Sequence, residues 1–382
     1  MSVTNDQVMD ALRPVEDPEL HRSIVDLGMV RDIKIDGGHV QVRVALTVAG
    51  CPLRNEITNR VTGAVKALPG VVTTGLDFTV MTDQEREALR GVLQGSKGGG
   101  HSHAPGGGHG HAEGKISPFN EPGCKTRPLL ISSGKGGVGK SSVTCNLAVA
   151  LAQRGHSVGI VDADIYGFSI PRMLGTDRDP VVIDQMLLPP EAHGVRCISI
   201  GYFVPEGQAV VWRGPMLHKA LEQFLTDVFW DEPDFLLIDM PPGTGDIALS
   251  LSQYLPRGEV YVVTTPQPAA QKVARLSAAM ALKVNLEVKG VIENMSYFTG
   301  DDGKRYEIFG SGGGSELAAE LGVPLLAQLP LVSALREGGD TGNPITASDP
   351  SSELAGAFRA MAERIAVDLR PKKVFNKELK IV

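Results

Sequence analysis

Gly134-Lys135-Gly136-Gly137-Val138-Gly139-Lys140-Ser141 decides how this chain folds. The apolar Leu129-Leu130-Ile131-Ser132 before it predicts a short buried strand, and Ser142-Val143-Thr144-Cys145-Asn146-Leu147-Ala148-Val149-Ala150 after it predicts a helix. A glycine-rich turn between a strand and a helix is the context in which such a run becomes a phosphate-binding loop. The glycines let the backbone wrap with its N–H groups inward, and the helix N-terminus adds a favourable field for an anion. Gly134, Lys135, Gly136, Gly137, Val138, Gly139, Lys140, Ser141 and Ser142 then form the cradle of a nucleoside triphosphate. Lys140 is placed to meet the outer phosphates, and the Ser141 hydroxyl to take a position on magnesium.

Outward from the loop, strands are expected near 129–133, 158–162, 196–202, 235–239, 259–264, 287–292 and 324–329. Helices near 140–154, 215–229, 246–255, 268–283, 313–322 and 350–368 intervene. This alternation predicts an α/β nucleotide-binding domain over 115–370, with a mostly parallel sheet and helices on both faces. Ligands of such sheets sit at the carboxyl ends of the strands. Before it, residues 1–94 predict a small α/β accessory domain: a helix at 4–13, strands at 29–35 and 39–48 joined by Gly37-Gly38, a helix at 54–68, a strand at 71–81 and a helix at 83–93. Residues 95–114, rich in glycine and carrying His101, His103, His109 and His111, have little to bury and predict a flexible linker. A short basic tail, 371–382, closes the chain.

Two further strand ends carry acids. Val158-Gly159-Ile160-Val161-Asp162-Ala163-Asp164 offers Asp164 to orient or activate an attacking water; Asp162 either stands near the magnesium shell or caps a turn. Phe235-Leu236-Leu237-Ile238-Asp239 ends in a candidate magnesium ligand, Asp239. Gly243 and Gly245, just beyond, suit a second switch, and Asp246 the N-cap of the next helix.

The 382 residues leave ample core, and a net charge of −7 gives no bulk attraction for nucleic acid or an anionic membrane. No apolar run approaches the ~20 residues of a membrane helix, and the polar start is no signal peptide, which predicts a cytoplasmic protein. Four cysteines (51, 124, 145 and 197) are too few for a disulfide framework.

The run 135–141 resembles the deviant phosphate-loop ATPases: the nitrogenase iron protein, the MinD and ParA positioning ATPases, arsenite-pump ATPases and the Mrp iron–sulfur carriers. That resemblance implies ATP as the nucleotide, slow hydrolysis, and a homodimer in which Lys135 acts across the nucleotide sandwich on the partner's site. Ile165-Tyr166-Gly167-Phe168-Ser169-Ile170-Pro171 looks like the first switch of Mrp proteins, with Phe168 where proline is usual. Gly290-Val291-Ile292-Glu293-Asn294-Met295-Ser296 also matches, and implies that Asn294 contacts the adenine. With Phe309-Gly310-Ser311-Gly312-Gly313-Gly314, Leu329-Pro330 and Arg336-Glu337-Gly338-Gly339-Asp340, the likeness spans nearly all of 127–348. Residues 5–82, through Val15–Leu20, Ile24–Val30 and Leu46–Leu53, resemble the small iron–sulfur-assembly domain fused to the front of many such proteins. The chain is identified as a member of the Mrp (ApbC-like) ATPases.

Many of these carriers bridge a [4Fe–4S] cluster with a Cys-x-x-Cys pair contributed by each copy, soft thiolates being the ligands iron–sulfur clusters require. The corresponding segment here, Ser296 to Tyr306, has no cysteine. Cys51, between Gly50 and Pro52, matches the cysteine of the accessory domain and is the candidate ligand in its place. Three functions stand at this point. The first is a cluster carrier delivering to apo iron–sulfur proteins or exchanging with scaffold proteins. The second is an ATP-switched assembly scaffold without a cluster of its own. The third is a positioning ATPase, for which the tail 371–382 is too weakly amphipathic.

Overall fold

The computed structural model describes residues 3–48, 53–94, 117–121, 123–176, 178–204, 214–243 and 246–369. Cys51, the linker histidines, Gly245 and the tail 371–382 lie outside the described residues. The chain divides into two compact units, Met1–Ala112 with Val181–Leu188 and Glu113–Pro180 with Pro189–Val382.

The first unit runs α1 (Asn5–Leu12), β1 (Val30–Asp36), β2 (His39–Leu46), α2 (Arg54–Lys66), β3 (Thr73–Val80) and α3 (Asp83–Gln94). Thr4 and Gln7 cap α1 reciprocally, as a polar N-cap with a glutamine three residues on should. β1 and β2 pair antiparallel across the turn at Gly37, and β3 returns parallel to β2 after α2. Val40, Val42 and Val44 alternate inward on β2 and are fully buried. A hairpin later in the chain, β6 (Val181–Ile183) and β7 (Met186–Leu188), is grouped with this unit.

The second unit begins with β4 (Arg127–Ser133), α4 (Lys140–Gln153), β5 (Val158–Asp162) and α5 (Ile170–Leu174). After the hairpin come β8 (Glu191–Ala192), β9 (Val195–Ser199), α6 (Gly214–Thr226), β10 (Phe235–Asp239) and α7 (Asp246–Tyr254). The remainder is β11 (Glu259–Thr264), α8 (Pro268–Lys283), β12 (Glu287–Glu293), β13 (Phe298–Thr299), β14 (Arg305–Tyr306), α9 (Gly313–Leu321), β15 (Leu325–Gln328), α10 (Ser333–Thr341), α11 (Ile345–Ser348) and α12 (Glu353–Glu363). Eight strands form one sheet in the order β15-β12-β11-β4-β10-β5-β9-β8, parallel throughout except for β8 on β9. The chain leaves β4 towards one edge, returns through β10, and then builds the other edge from β11. The reversal puts the end of β4 at the crevice where open α/β sheets bind ligands.

The expected mostly parallel sheet with helices on both faces is what the chain forms. Leu129 and Ile131 of β4 enter a core shared with Leu147 and Leu151 of α4 and Phe358 and Met361 of α12. Ser132, of the opposite pleat, bonds Ser277 of α8 at 2.6 Å. Some boundaries differ from expectation for local reasons. β9 stops at Ser199 because that hydroxyl accepts the Gly201 N–H at 3.1 Å and starts a 3₁₀ turn. α12 starts at Glu353, where Ser352 caps it, and passes into a π-helical turn at Arg364–Asp368. That turn is clamped: Arg127 donates to the Ile365 and Leu369 carbonyls at 2.7 and 3.1 Å while holding the buried Glu259 bidentately at 3.0 and 2.7 Å.

Candidate functional site: the phosphate loop and its acids

Residues 134–139 connect β4 to α4 at the centre of the sheet. A side chain at Gly134 would strike the α8 backbone at Val273, 2.2 Å from an added Cβ. Gly139 has φ +81° and faces the Asn294 amide, which an added Cβ would meet at 2.2 Å. Only glycine satisfies both the left-handed backbone and that approach. The loop is therefore pressed between α8 and the end of β12.

Parallel register brings the acids to the same end. Asp239 pairs with Ile131 on one side and with Asp162 on the other. Asp239 is fully buried, and its carboxylate is saturated by α4. Lys140 Nζ stands 2.6 Å and Ser141 Oγ 2.7 Å from Oδ2, and Thr144 Oγ1 stands 2.6 Å from Oδ1. Buried charge demands this pairing, because an isolated carboxylate at that depth costs several kcal/mol. Asp164 approaches the same ammonium at 3.8 Å. Burial pushes its carboxyl above the usual range, opposed by the Lys140 charge.

Asp162 accepts four hydrogen bonds from the loop that follows it and from β9. Oδ2 accepts from the Ser169 and Ile170 N–H groups at 3.1 and 3.3 Å and from Ser199 Oγ at 3.1 Å, while Oδ1 accepts from the Asp164 N–H at 3.2 Å. It thus fixes the 163–170 loop and the start of α5. Burial, then the charge of Asp239, push it up to about 7.

Lys135 Nζ donates to Gln267 Oε1 of its own chain at 3.2 Å. Asn294 is buried; its Nδ2 donates to the Val138 carbonyl at 2.9 Å, and its Oδ1 has no hydrogen-bond partner among the described residues. An orphaned buried acceptor at this strand end suits an amino-bearing base edge. The hard oxygens of Ser141 and Asp239, already side by side, suit Mg2+. Gly243 donates to the Ser133 carbonyl at 2.9 Å with φ +96°, and α7 begins at Asp246 itself. Sequence reasoning passed over Thr144, although it lies one turn beyond Lys140 on the same helical face. It also passed over Ser199 and Glu293, for which sequence carries no local signal.

The thiols divide sharply. Cys145 and Cys197 are buried in the core, and desolvation pushes both well above the ordinary thiol range. Such thiols are poor metal ligands. Cys124 is half-buried. Among the described residues no three His, Cys, Asp or Glu side chains converge on a metal-sized site, and no helix is long and apolar enough to cross a membrane.

Residues 125–366 match the family model described as NUBPL iron-transfer P-loop NTPase, and residues 5–74 match one described as iron–sulfur cluster assembly protein. A Mycobacterium leprae protein named iron–sulfur cluster carrier protein is 45% identical over 366 residues, covering 94% of this chain and 92% of the relative. A Synechocystis protein of the same name is 42% identical, covering 95% and 97%. Among solved structures, a nucleotide-binding protein from Archaeoglobus fulgidus in complex with ADP is 33% identical, with a TM-score of 0.53 over 63% of this chain and 95% of that one.

Proposed function

Because the chain belongs to the NUBPL iron-transfer P-loop NTPases, we propose that it is an ATP-hydrolysing iron–sulfur cluster carrier that works as a nucleotide-gated homodimer and delivers clusters to apo-proteins in the cytoplasm. The observation that carries the catalytic half is the cluster of Lys140, Ser141, Asp239 and Asp164 at the carboxyl ends of the central strands. Triphosphate oxygens draw Lys140 from Asp239 into the loop, and Asn294 meets the adenine edge. Ser141 and Asp239 would hold Mg2+, which when bound would supply positive charge to offset that developing on the phosphates. Asp164 orients the attacking water, its raised affinity for a proton suiting a general base. Lys135 exchanges the neutral Gln267 for the transition-state anion of the facing copy. Turnover is expected to be slow, as the resemblance to the deviant phosphate-loop ATPases implies.

The cargo needs thiolates, and Ser296 to Tyr306 provides none. Cys145 and Cys197 are buried and Cys124 half-buried, and Cys51, which matches the cysteine of the accessory domain, is the ligand we assign, one from each copy, completed by the donor or acceptor protein. The same missing pair favours a second reading, an ATP-switched scaffold that carries no cluster.

Complementation tests the gated dimer. Lys140→Ala should abolish nucleotide binding, whereas Lys135→Ala should bind ATP normally and lose dimer-dependent hydrolysis. Mixing the two variants should restore turnover, since the first supplies Lys135 to the intact loop of the second. Wild-type turnover by Lys135→Ala alone would sink the role across the dimer.

A further inference from the structure

Glu293 is a buried carboxylate that the hydrolytic chemistry does not use. It is the last residue of β12 and is 1% exposed. Its Oε2 accepts the Gly314 N–H at 2.5 Å, in the first turn of α9, and its Oε1 accepts Gln328 Nε2 at 2.9 Å, at the end of β15. Its own carbonyl takes the Leu329 N–H at 2.8 Å and the Ser296 hydroxyl at 3.0 Å. The next residue, Asn294, donates its N–H to the Thr264 carbonyl at 2.8 Å, and Met295 then turns through φ +55°, a conformation a methionine seldom adopts. One strand end is thus tied to β11, β15, α9 and, through the Asn294 amide, to the phosphate loop at Val138.

We propose that Glu293 is a positioning residue for nucleobase selection: its carboxylate, held by Gly314 and Gln328, fixes the strand end that presents the Asn294 carboxamide to the base. The inference rests on the adenine contact proposed for Asn294. A carboxamide distinguishes bases only if its oxygen and nitrogen stay in place. The Val138 carbonyl fixes the nitrogen, which leaves Oδ1 as the acceptor for an exocyclic amine, and Glu293 fixes the backbone beneath it. α9 contributes a second reason for an acid here, since its N-terminal end favours negative charge. Close packing leaves no slack: a Cβ at position 314 would lie 2.7 Å from the Glu293 Cβ.

The test is the ratio of dissociation constants for ATP and GTP on the full-length protein, measured for wild type, Asn294→Ala, Glu293→Ala, Glu293→Gln and Gln328→Ala. General destabilisation weakens both nucleotides alike and leaves the ratio unmoved. Glu293→Ala and Asn294→Ala should each reduce the preference for ATP by about tenfold, the worth of one well-placed hydrogen bond. Glu293→Gln should keep it, because its carbonyl can accept from Gly314 while the Gln328 amide turns over to accept from its NH2. Gln328→Ala, a surface change, should lower the ratio by about threefold and decides the matter should Glu293→Ala not fold. A ratio lowered by Asn294→Ala but unchanged in Glu293→Ala, or in Gln328→Ala in its place, overturns the positioning role. A ratio unchanged in Asn294→Ala removes the base contact itself, and the proposal with it.

Discussion

Replacing Lys140 by methionine keeps its stem and deletes its charge, and the structure sets the consequence. The ammonium lies 2.6 Å from Asp239 and 3.8 Å from Asp164, with the Lys140 side chain 6% and the Asp239 side chain 0% exposed. At an effective dielectric constant near 20, the closer pair alone attracts by about 6 kcal/mol before desolvation is counted. Sparing the lysine its own desolvation returns part of this, but Asp239 is left buried without a counter-charge. Broken buried pairs typically cost about 3–5 kcal/mol. For a unit of this size, that predicts a fall of roughly 6–20 °C in the melting transition of the nucleotide-free protein. Scanning calorimetry measures it directly. Lys140→Met/Asp239→Asn should recover most of the loss, because the fully buried charge at position 239 is gone and one of the Ser141 and Thr144 hydroxyls can still donate to the amide oxygen while the other accepts from the amide NH2. A single variant as stable as wild type, or a double variant less stable than the sum of its parts, would refute the reasoning.

Thr144→Val removes one bond to a charged acceptor, so stability should fall by about 1.5–3 kcal/mol in denaturant titration, with weaker Mg2+ binding because Asp239 is freed on one side. Arg127→Met should loosen the 364–369 turn and leave the buried Glu259 unpaired, costing about 3–5 kcal/mol and exposing the C-terminal turn to limited proteolysis. Asp162 has its folded value raised to about 7 against an ordinary 3.8, so its contribution is full below about pH 4 and is lost as pH rises towards 7. Asp162→Asn should therefore flatten the stability profile between those limits; an unchanged slope would mean that another group sets it.

The nucleotide site was legible because it is local in sequence. A strand, six loop residues and a helix lie in one stretch, and the glycines that permit φ +80° at 137 and +81° at 139 are written into the motif. Asp239 was legible because it ends an apolar strand, Asp164 because it lies two residues beyond the end of another, and parallel register delivers strand ends to one rim. The partners of these groups were not. The bonds Asp162 makes come from the fold of 163–170 around it and from Ser199 arriving from β9, partners that no pattern near 162 announces. Glu293 joins groups 21 and 35 positions away in the chain, a distance no periodicity records. The hairpin at 181–188 escaped for another reason: its strands have three residues each, too short for alternation to stand out.

The central claim is that this chain carries a cluster despite having no cysteine between Ser296 and Tyr306. Its most direct test is the iron and acid-labile sulfide bound per dimer after anaerobic reconstitution, in wild type and in Cys51→Ala. The account predicts stoichiometric iron and sulfide in the wild type and their loss in the variant. A wild-type protein that hydrolyses ATP yet retains neither would contradict it and leave an ATP-switched scaffold.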